Sequence, residues 1–127
     1  MRTWMLGFVL LLPLSSYAIN EVECSGRDSS NQRVVFEIEQ SWGGSIRDAR
    51  LLIYSDSTNN PEETVYRIFN MRPQNRRMLY SGTDGVRLEI DIFPDRAPRW
   101  GRSYRAQLSA SHEHVSGLSC RFPQVRP

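Results

Sequence analysis

Val86-Arg87-Leu88-Glu89-Ile90-Asp91-Ile92-Phe93 is the stretch that decides the fold. Val86, Leu88, Ile90 and Ile92 fall on one side of an extended chain, and Arg87, Glu89 and Asp91 fall on the other, the two-residue period of a half-buried β-strand. A parallel strand covered on both faces reads as an unbroken apolar run, so the alternation points to an antiparallel sheet with one wet face. The rest of the chain has to supply its neighbours.

Working outward, Asp84-Gly85 suits a tight hairpin turn and joins this strand to a short one, Arg77 to Ser81. Arg72-Pro73-Gln74-Asn75 turns the chain out of another, Thr64 to Met71, in which Val65, Arg67, Phe69 and Met71 alternate with Tyr66, Ile68 and Asn70. Further back, Arg33 to Gln40 places Val34, Phe36 and Ile38 on one face, and Ile46 to Tyr54 does the same with Ala49, Leu51 and Ile53. Trp42-Gly43-Gly44 reads as the turn between these two, Ser55 to Glu63 as an exposed loop, and Glu21 to Ser25 as a short first strand. On the other side, Pro94 to Arg102 carries two prolines and a glycine and is excluded as an interior strand. Tyr104 to Ala110 alternates again with Tyr104, Ala106 and Leu108 inward, His112-Glu113-His114 reads as a hairpin tip, and Leu118 to Phe122 is the last strand.

Residues 1–18 differ in kind. Arg2, an apolar run from Trp4 to Leu12, Pro13 and the small-residue ending Ser16-Tyr17-Ala18 have the layout of a cleaved signal peptide. The run is shorter than the roughly 20 residues a spanning helix needs. Export to a periplasmic or extracellular compartment is the expectation, with residues 19–127 as a single all-β domain. No membrane span is expected in the mature chain. An outer-membrane barrel is disfavoured, because the strands are short and their outward faces carry Arg, Glu and Asp.

An oxidising compartment lets a disulfide persist, and Cys24 and Cys120 are the only cysteines. Their pairing links the first strand to the last and closes a loop of roughly 100 residues, for about 4.7 kcal/mol in the loop-entropy treatment. Seven or eight short strands with mostly hairpin-length connections then make either a meander β-barrel, which the short connections favour, or a β-sandwich bridged between its sheets.

Composition excludes several chemistries. Lysine is absent, which removes Schiff-base catalysis and the phosphate-binding lysine of nucleotide sites. Beyond residue 18, arginines and acids nearly balance, so net charge selects no polyanion. No Gly-x-Ser-x-Gly, phosphate-cradling glycine loop or aromatic–basic pattern of an RNA-binding sheet is present. No cofactor, nucleic acid or catalytic function is expected.

The candidate binding residues are Arg96, Arg99, Trp100, Arg102 and Arg105. If residues 96–102 run in a polyproline-like conformation with three residues per turn, Arg96, Arg99 and Arg102 share an edge that can grip phosphate or carboxylate, with Trp100 free to stack on a sugar or base. Arg72, Arg76 and Arg77 form a second basic group that joins the first only if the fold brings the two loops together. His112 and His114 make a weak two-ligand metal candidate, and Glu89 with Asp91 an acid–base candidate that strand alternation alone explains.

The leading expectation is an exported, non-catalytic β-domain that binds a protein or anionic envelope glycan through its loops, chiefly the arginine-rich segment 94–105. A barrel of this size could also hold one small apolar ligand, as a lipocalin-type carrier does, although Val34, Phe36, Ile38, Leu51, Ile53, Val86, Leu88, Ile90, Ile92 and Leu108 are large enough to fill it. A third possibility rests on a resemblance. An export signal, one disulfide, about a hundred β-residues and the tripeptide Tyr80-Ser81-Gly82 are together similar to bacterial lysozyme inhibitors and their Ser-Gly loop. The resemblance covers that tripeptide alone and implies a basic enzyme as partner, to which a near-neutral chain with basic loops is poorly matched.

Overall fold

The computed structural model describes residues 20–40, 46–55, 60–111 and 113–123. Residues 1–18, read from the sequence as a signal peptide, Trp42-Gly43-Gly44 and His112 lie outside them. Eight antiparallel strands follow one another around a closed barrel: β1 (Asn20–Arg27), β2 (Arg33–Glu39), β3 (Arg47–Tyr54), β4 (Glu62–Pro73), β5 (Arg77–Gly82), β6 (Arg87–Asp91), β7 (Ser103–Ala110) and β8 (Glu113–Arg121). Of barrel and sandwich, the chain forms the meander barrel. Each strand pairs with its neighbours in sequence, and β1 pairs with β8.

The seam pairs Glu23–Ser25 of β1 with Ser119–Arg121 of β8, and it carries the disulfide. Cys24 lies directly opposite Cys120, with α-carbons 4.0 Å apart and 96 residues between them in sequence. Because the Cys24 sulfur is bonded to Cys120, it is not available for a lipid thioether.

The alternating positions named above turn inward as one contiguous cluster. Val34, Phe36, Ile38, Ile68, Leu88, Ile90 and Leu108 have no exposed surface, and Tyr80 and Ile92 are almost equally enclosed. Burying each aliphatic side chain of this size contributes roughly 1.5–3 kcal/mol. The outer wall carries an ion pair at mid-strand, Arg50–Glu37 at 2.9 Å, and others that reach toward the strand ends, Arg77–Glu89 at 3.0 Å, Arg121–Glu23 at 3.1 Å and Arg67–Asp48 at 3.8 Å. A membrane barrel presents an apolar band at that height. Among the described residues no helix is long and apolar enough to cross a membrane.

Two hairpins turn through a pair of residues that both take positive φ, the twist that matches the flanking strands. In one, Asp84 and Gly85 (φ 55° and 70°) stand between Thr83 and Val86, as the sequence suggests. In the other, Asn75 and Arg76 (φ 50° and 63°) stand between Gln74 and Arg77, so β4 runs on through Pro73 before turning.

Three bulges depart from simple alternation. One at Phe69 reverses the facing of β4, so that Met71 joins Tyr66 and Ile68 inside while Phe69 stays out. A second, in β8, absorbs Ser116 and Gly117. The last strand therefore begins at Glu113 rather than Leu118, and Val115 and Leu118 both point inward although three residues apart. The third, in β1, falls at Glu21. Bulges of this kind re-aim side chains.

An up-and-down barrel sorts its connections between two ends. The apical end holds the turns at residues 28–32 and 83–85. The basal end holds the start of β1, the connections β4–β5 and β6–β7, and the end of β8. Both arginine-rich loops are therefore basal.

Candidate functional site

The long β6–β7 connection is built as two turns tied to the barrel. Asp91 Oδ1 accepts from the Phe93 amide at 3.1 Å and ends β6, and the Asp95 amide donates to the Ile92 carbonyl at 2.7 Å, closing a turn that contains a cis peptide at Pro94. At the other side, Arg102 N–H donates to the Arg99 carbonyl at 3.2 Å, with Gly101 at φ 76° supplying the left-handed residue of that turn. The chain reverses between Arg99 and Arg102. The polyproline edge expected for Arg96, Arg99 and Arg102 is replaced by a bend, because a glycine after Trp100 permits it.

Tyr104 holds the bend from beneath. Its ring is buried edge-on to Phe122, with centroids 6.1 Å apart. Its hydroxyl donates to Asp95 Oδ2 at 2.7 Å and accepts from the Arg99 amide at 2.9 Å. The same Asp95 oxygen lies 3.4 Å from Arg102 Nη1. Burial first, and then the hydrogen bond to Asp95, raises the Tyr104 hydroxyl above the ordinary tyrosine range, so it stays protonated and keeps donating.

Trp100 is 70% exposed, yet it is fixed: its indole N–H donates to the Pro123 carbonyl at 2.8 Å, and its backbone bridges to Phe122. An aromatic ring held in water by its one polar atom presents its faces to whatever approaches. Arg96 and Arg99 are exposed beside it in the chain, and among the described residues no acceptor pairs with either guanidinium. Arg105 belongs elsewhere: it lies on β7, on the outer wall opposite Asp91.

Of the second basic group, Arg76 joins this end. The Ile92 amide donates to the Arg76 carbonyl at 3.0 Å, and the Arg76 guanidinium lies 5.3 Å from the centre of the exposed Phe93 ring. The β4–β5 hairpin and the β6–β7 loop therefore form one rim. Arg77, by contrast, is occupied by Glu89.

Below the rim, the β1 bulge aims Glu21 at the barrel's basal mouth. Its carboxylate accepts from Arg47 Nε at 2.6 Å and, across the barrel, from the Tyr80 hydroxyl at 3.1 Å. Burial foremost, and then the Glu21 charge, drives the Tyr80 hydroxyl far above its ordinary range. This ion-paired plug and the loop anchors Asp95 and Tyr104 escape sequence reading. Tyr104 is legible as inward, but its partner depends on a loop path that no local pattern encodes.

The other candidates have structural explanations. Glu89 is paired with Arg77 and Asp91 caps the following turn. His114 lies on the exposed face of β8 with Nδ1 3.1 Å from Ser109 Oγ, and among the described residues no cluster of metal-binding side chains forms. In Tyr80-Ser81-Gly82, Tyr80 fills the core, while a β-carbon at Gly82 would stand 1.8 Å from the Arg67 carbonyl oxygen, so glycine serves close strand approach there rather than a protruding loop. Two concave volumes, about 450 and 330 Å³, are grooves on the outer wall lined by residues such as Ser103, Ser119 and Arg121.

Fold and rim together define a closed, disulfide-seamed, eight-stranded meander barrel with an aromatic and basic rim at one end. No family model, curated protein or solved structure matches this chain.

Proposed function

We propose that this protein is an exported, non-catalytic binding domain whose basal rim takes an anionic partner, an envelope glycan or an acidic protein surface. The β6–β7 loop is its main contact. The observation that carries this reading is Trp100, an anchored indole left 70% exposed beside Arg96 and Arg99, whose guanidinium groups have no acceptor among the described residues. A hydrogen-bonded loop loses little conformational freedom on binding, which favours affinity. The flat indole suits stacking against a sugar ring or a partner side chain, and arginine suits carboxylate and phosphate oxygens. Export agrees with the disulfide, which persists in oxidising compartments.

The test immobilises the mature domain and measures retention of acidic polysaccharides and of envelope extract at low and high salt, for the natural sequence, Arg96→Gln/Arg99→Gln and Trp100→Ala. Retention that falls with salt and falls again in both variants supports the proposal. Retention indifferent to all three changes refutes it.

A further inference from the structure

A second group of cations lies on the outer wall, away from the β6–β7 loop. Cross-strand register puts Asn70, Ser81 and Arg87 in one row over β4, β5 and β6, and Arg72 and Leu79 in the adjacent row. These five residues line a depression of about 120 Å³ with Leu79 as its apolar floor. The arginines reach it from β4 and β6, two strand spacings apart or roughly 9.5 Å, one from each side of β5.

The charge at this place is uncompensated. Neighbouring arginines on the same wall have carboxylates: Arg67 has Asp48 and Arg77 has Glu89. Among the described residues neither Arg72 nor Arg87 has an acceptor or a ring. Glu89, the one acid in the adjacent row, is held by Arg77 and does not line the depression. The Asn70 amide and the Ser81 hydroxyl add uncharged donors.

We propose that this depression is an oxyanion subsite that takes one phosphate or sulfate group between the guanidinium groups of Arg72 and Arg87. The Asn70 and Ser81 side chains complete the grip. Its volume suits a single such group. Two planar guanidinium forks arriving from opposite sides are better matched by a tetrahedral anion, whose oxygens point in several directions, than by the two coplanar oxygens of a carboxylate. The subsite stands independently of the basal rim.

The test is a titration of the mature, disulfide-bonded domain followed by NMR of backbone amides and arginine Nε–H groups. Inorganic phosphate, sulfate and glucose 1-phosphate are the probes, with acetate and chloride at matched ionic strength as controls. Saturable shifts at Arg72, Arg87 and Ser81 are expected with the tetrahedral anions. Either Arg72→Gln or Arg87→Gln should weaken them about tenfold or more, the loss expected for a charge-assisted contact, while Arg96→Gln/Arg99→Gln leaves them unchanged. Tighter binding of the sugar phosphate than of the free ion assigns the group to a phosphorylated glycan, and equal binding assigns it to the free anion. Shifts reproduced by chloride, shifts equally strong with acetate, or shifts that survive both glutamine variants overturn the proposal.

Discussion

Removing one oxygen atom tests how the β6–β7 loop is held. Tyr104→Phe keeps the buried ring and its edge-on contact with Phe122 but deletes the hydroxyl that donates to Asp95 and accepts from the Arg99 amide. A hydrogen bond to a charged acceptor contributes roughly 1.5–3 kcal/mol and a neutral one roughly 0.5–1.5. Asp95 keeps Arg102 as a partner, and water can reach the exposed Arg99 backbone, so part of the loss is recovered. The net cost is about 2 kcal/mol. For a domain of this length that lowers Tm by about 8–15 °C. Thermal unfolding followed by circular dichroism measures the shift, and hydrogen exchange at the Arg99 amide reports whether the loop has come loose. A variant within about 0.5 kcal/mol of the natural protein, with Arg99 exchange unchanged, would refute the assignment of the hydroxyl as the loop's anchor, since that is the scatter of ordinary surface changes.

The remaining predictions concern the seam, the close approach of β5 to β4, and the basal plug. Replacing both Cys24 and Cys120 with Ala should lower stability by up to about 4.7 kcal/mol, the loop-entropy value for a closed loop near 100 residues; a denaturant midpoint equal to that of the bonded protein would show that the bridge is thermodynamically idle. Gly82→Ala should cost about 3 kcal/mol or more, because the new β-carbon meets backbone rather than a movable side chain, and unchanged stability would mean that β4 and β5 separate easily there. Tyr80 has a raised folded-state pKa, so above about pH 10 the unfolded chain loses this proton first and stability falls as pH rises. Melting curves between about pH 8 and 11.5 should show that decline, and Tyr80→Phe should make it shallower, leaving the share of Tyr104 and Tyr66, whose hydroxyls are also raised; an equally steep decline in the variant would place the alkaline sensitivity elsewhere.

The readable and unreadable parts of the fold divide by the range of the interaction that decides them. The inward faces of β2, β3, β6 and β7 and the Asp84-Gly85 turn are legible because each depends on a two-residue period or on the φ angles of two residues. Bulges break that reading. At Phe69 the pattern of β4 changes face, and at Ser116 and Gly117 a stretch resembling a turn is the interior of β8, because one or two extra residues are absorbed by the neighbouring strand's register. Of the candidate rim, Arg96, Arg99 and Trp100 were recognisable as residue types in an irregular segment, whereas Arg105 belongs to the barrel wall. Tyr104 reads as inward, but that it fixes the loop together with Asp95 and Pro123 has no local signal.

By itself the sequence determined an antiparallel all-β chain, the inward positions of β2, β3, β6 and β7, and the two cysteines available to join its ends. The tertiary structure alone decided that the sheet closes as a barrel, that the Arg76 and Phe93 loops meet at one end, that Glu21 turns in toward Tyr80, and that Arg72 and Arg87 share a depression. Alternation and turn chemistry act between near neighbours along the chain. Closure, bulge placement and cross-strand juxtaposition depend on register between strands brought together from distant parts of the sequence, and a one-residue slip in that register moves every side chain to the opposite face.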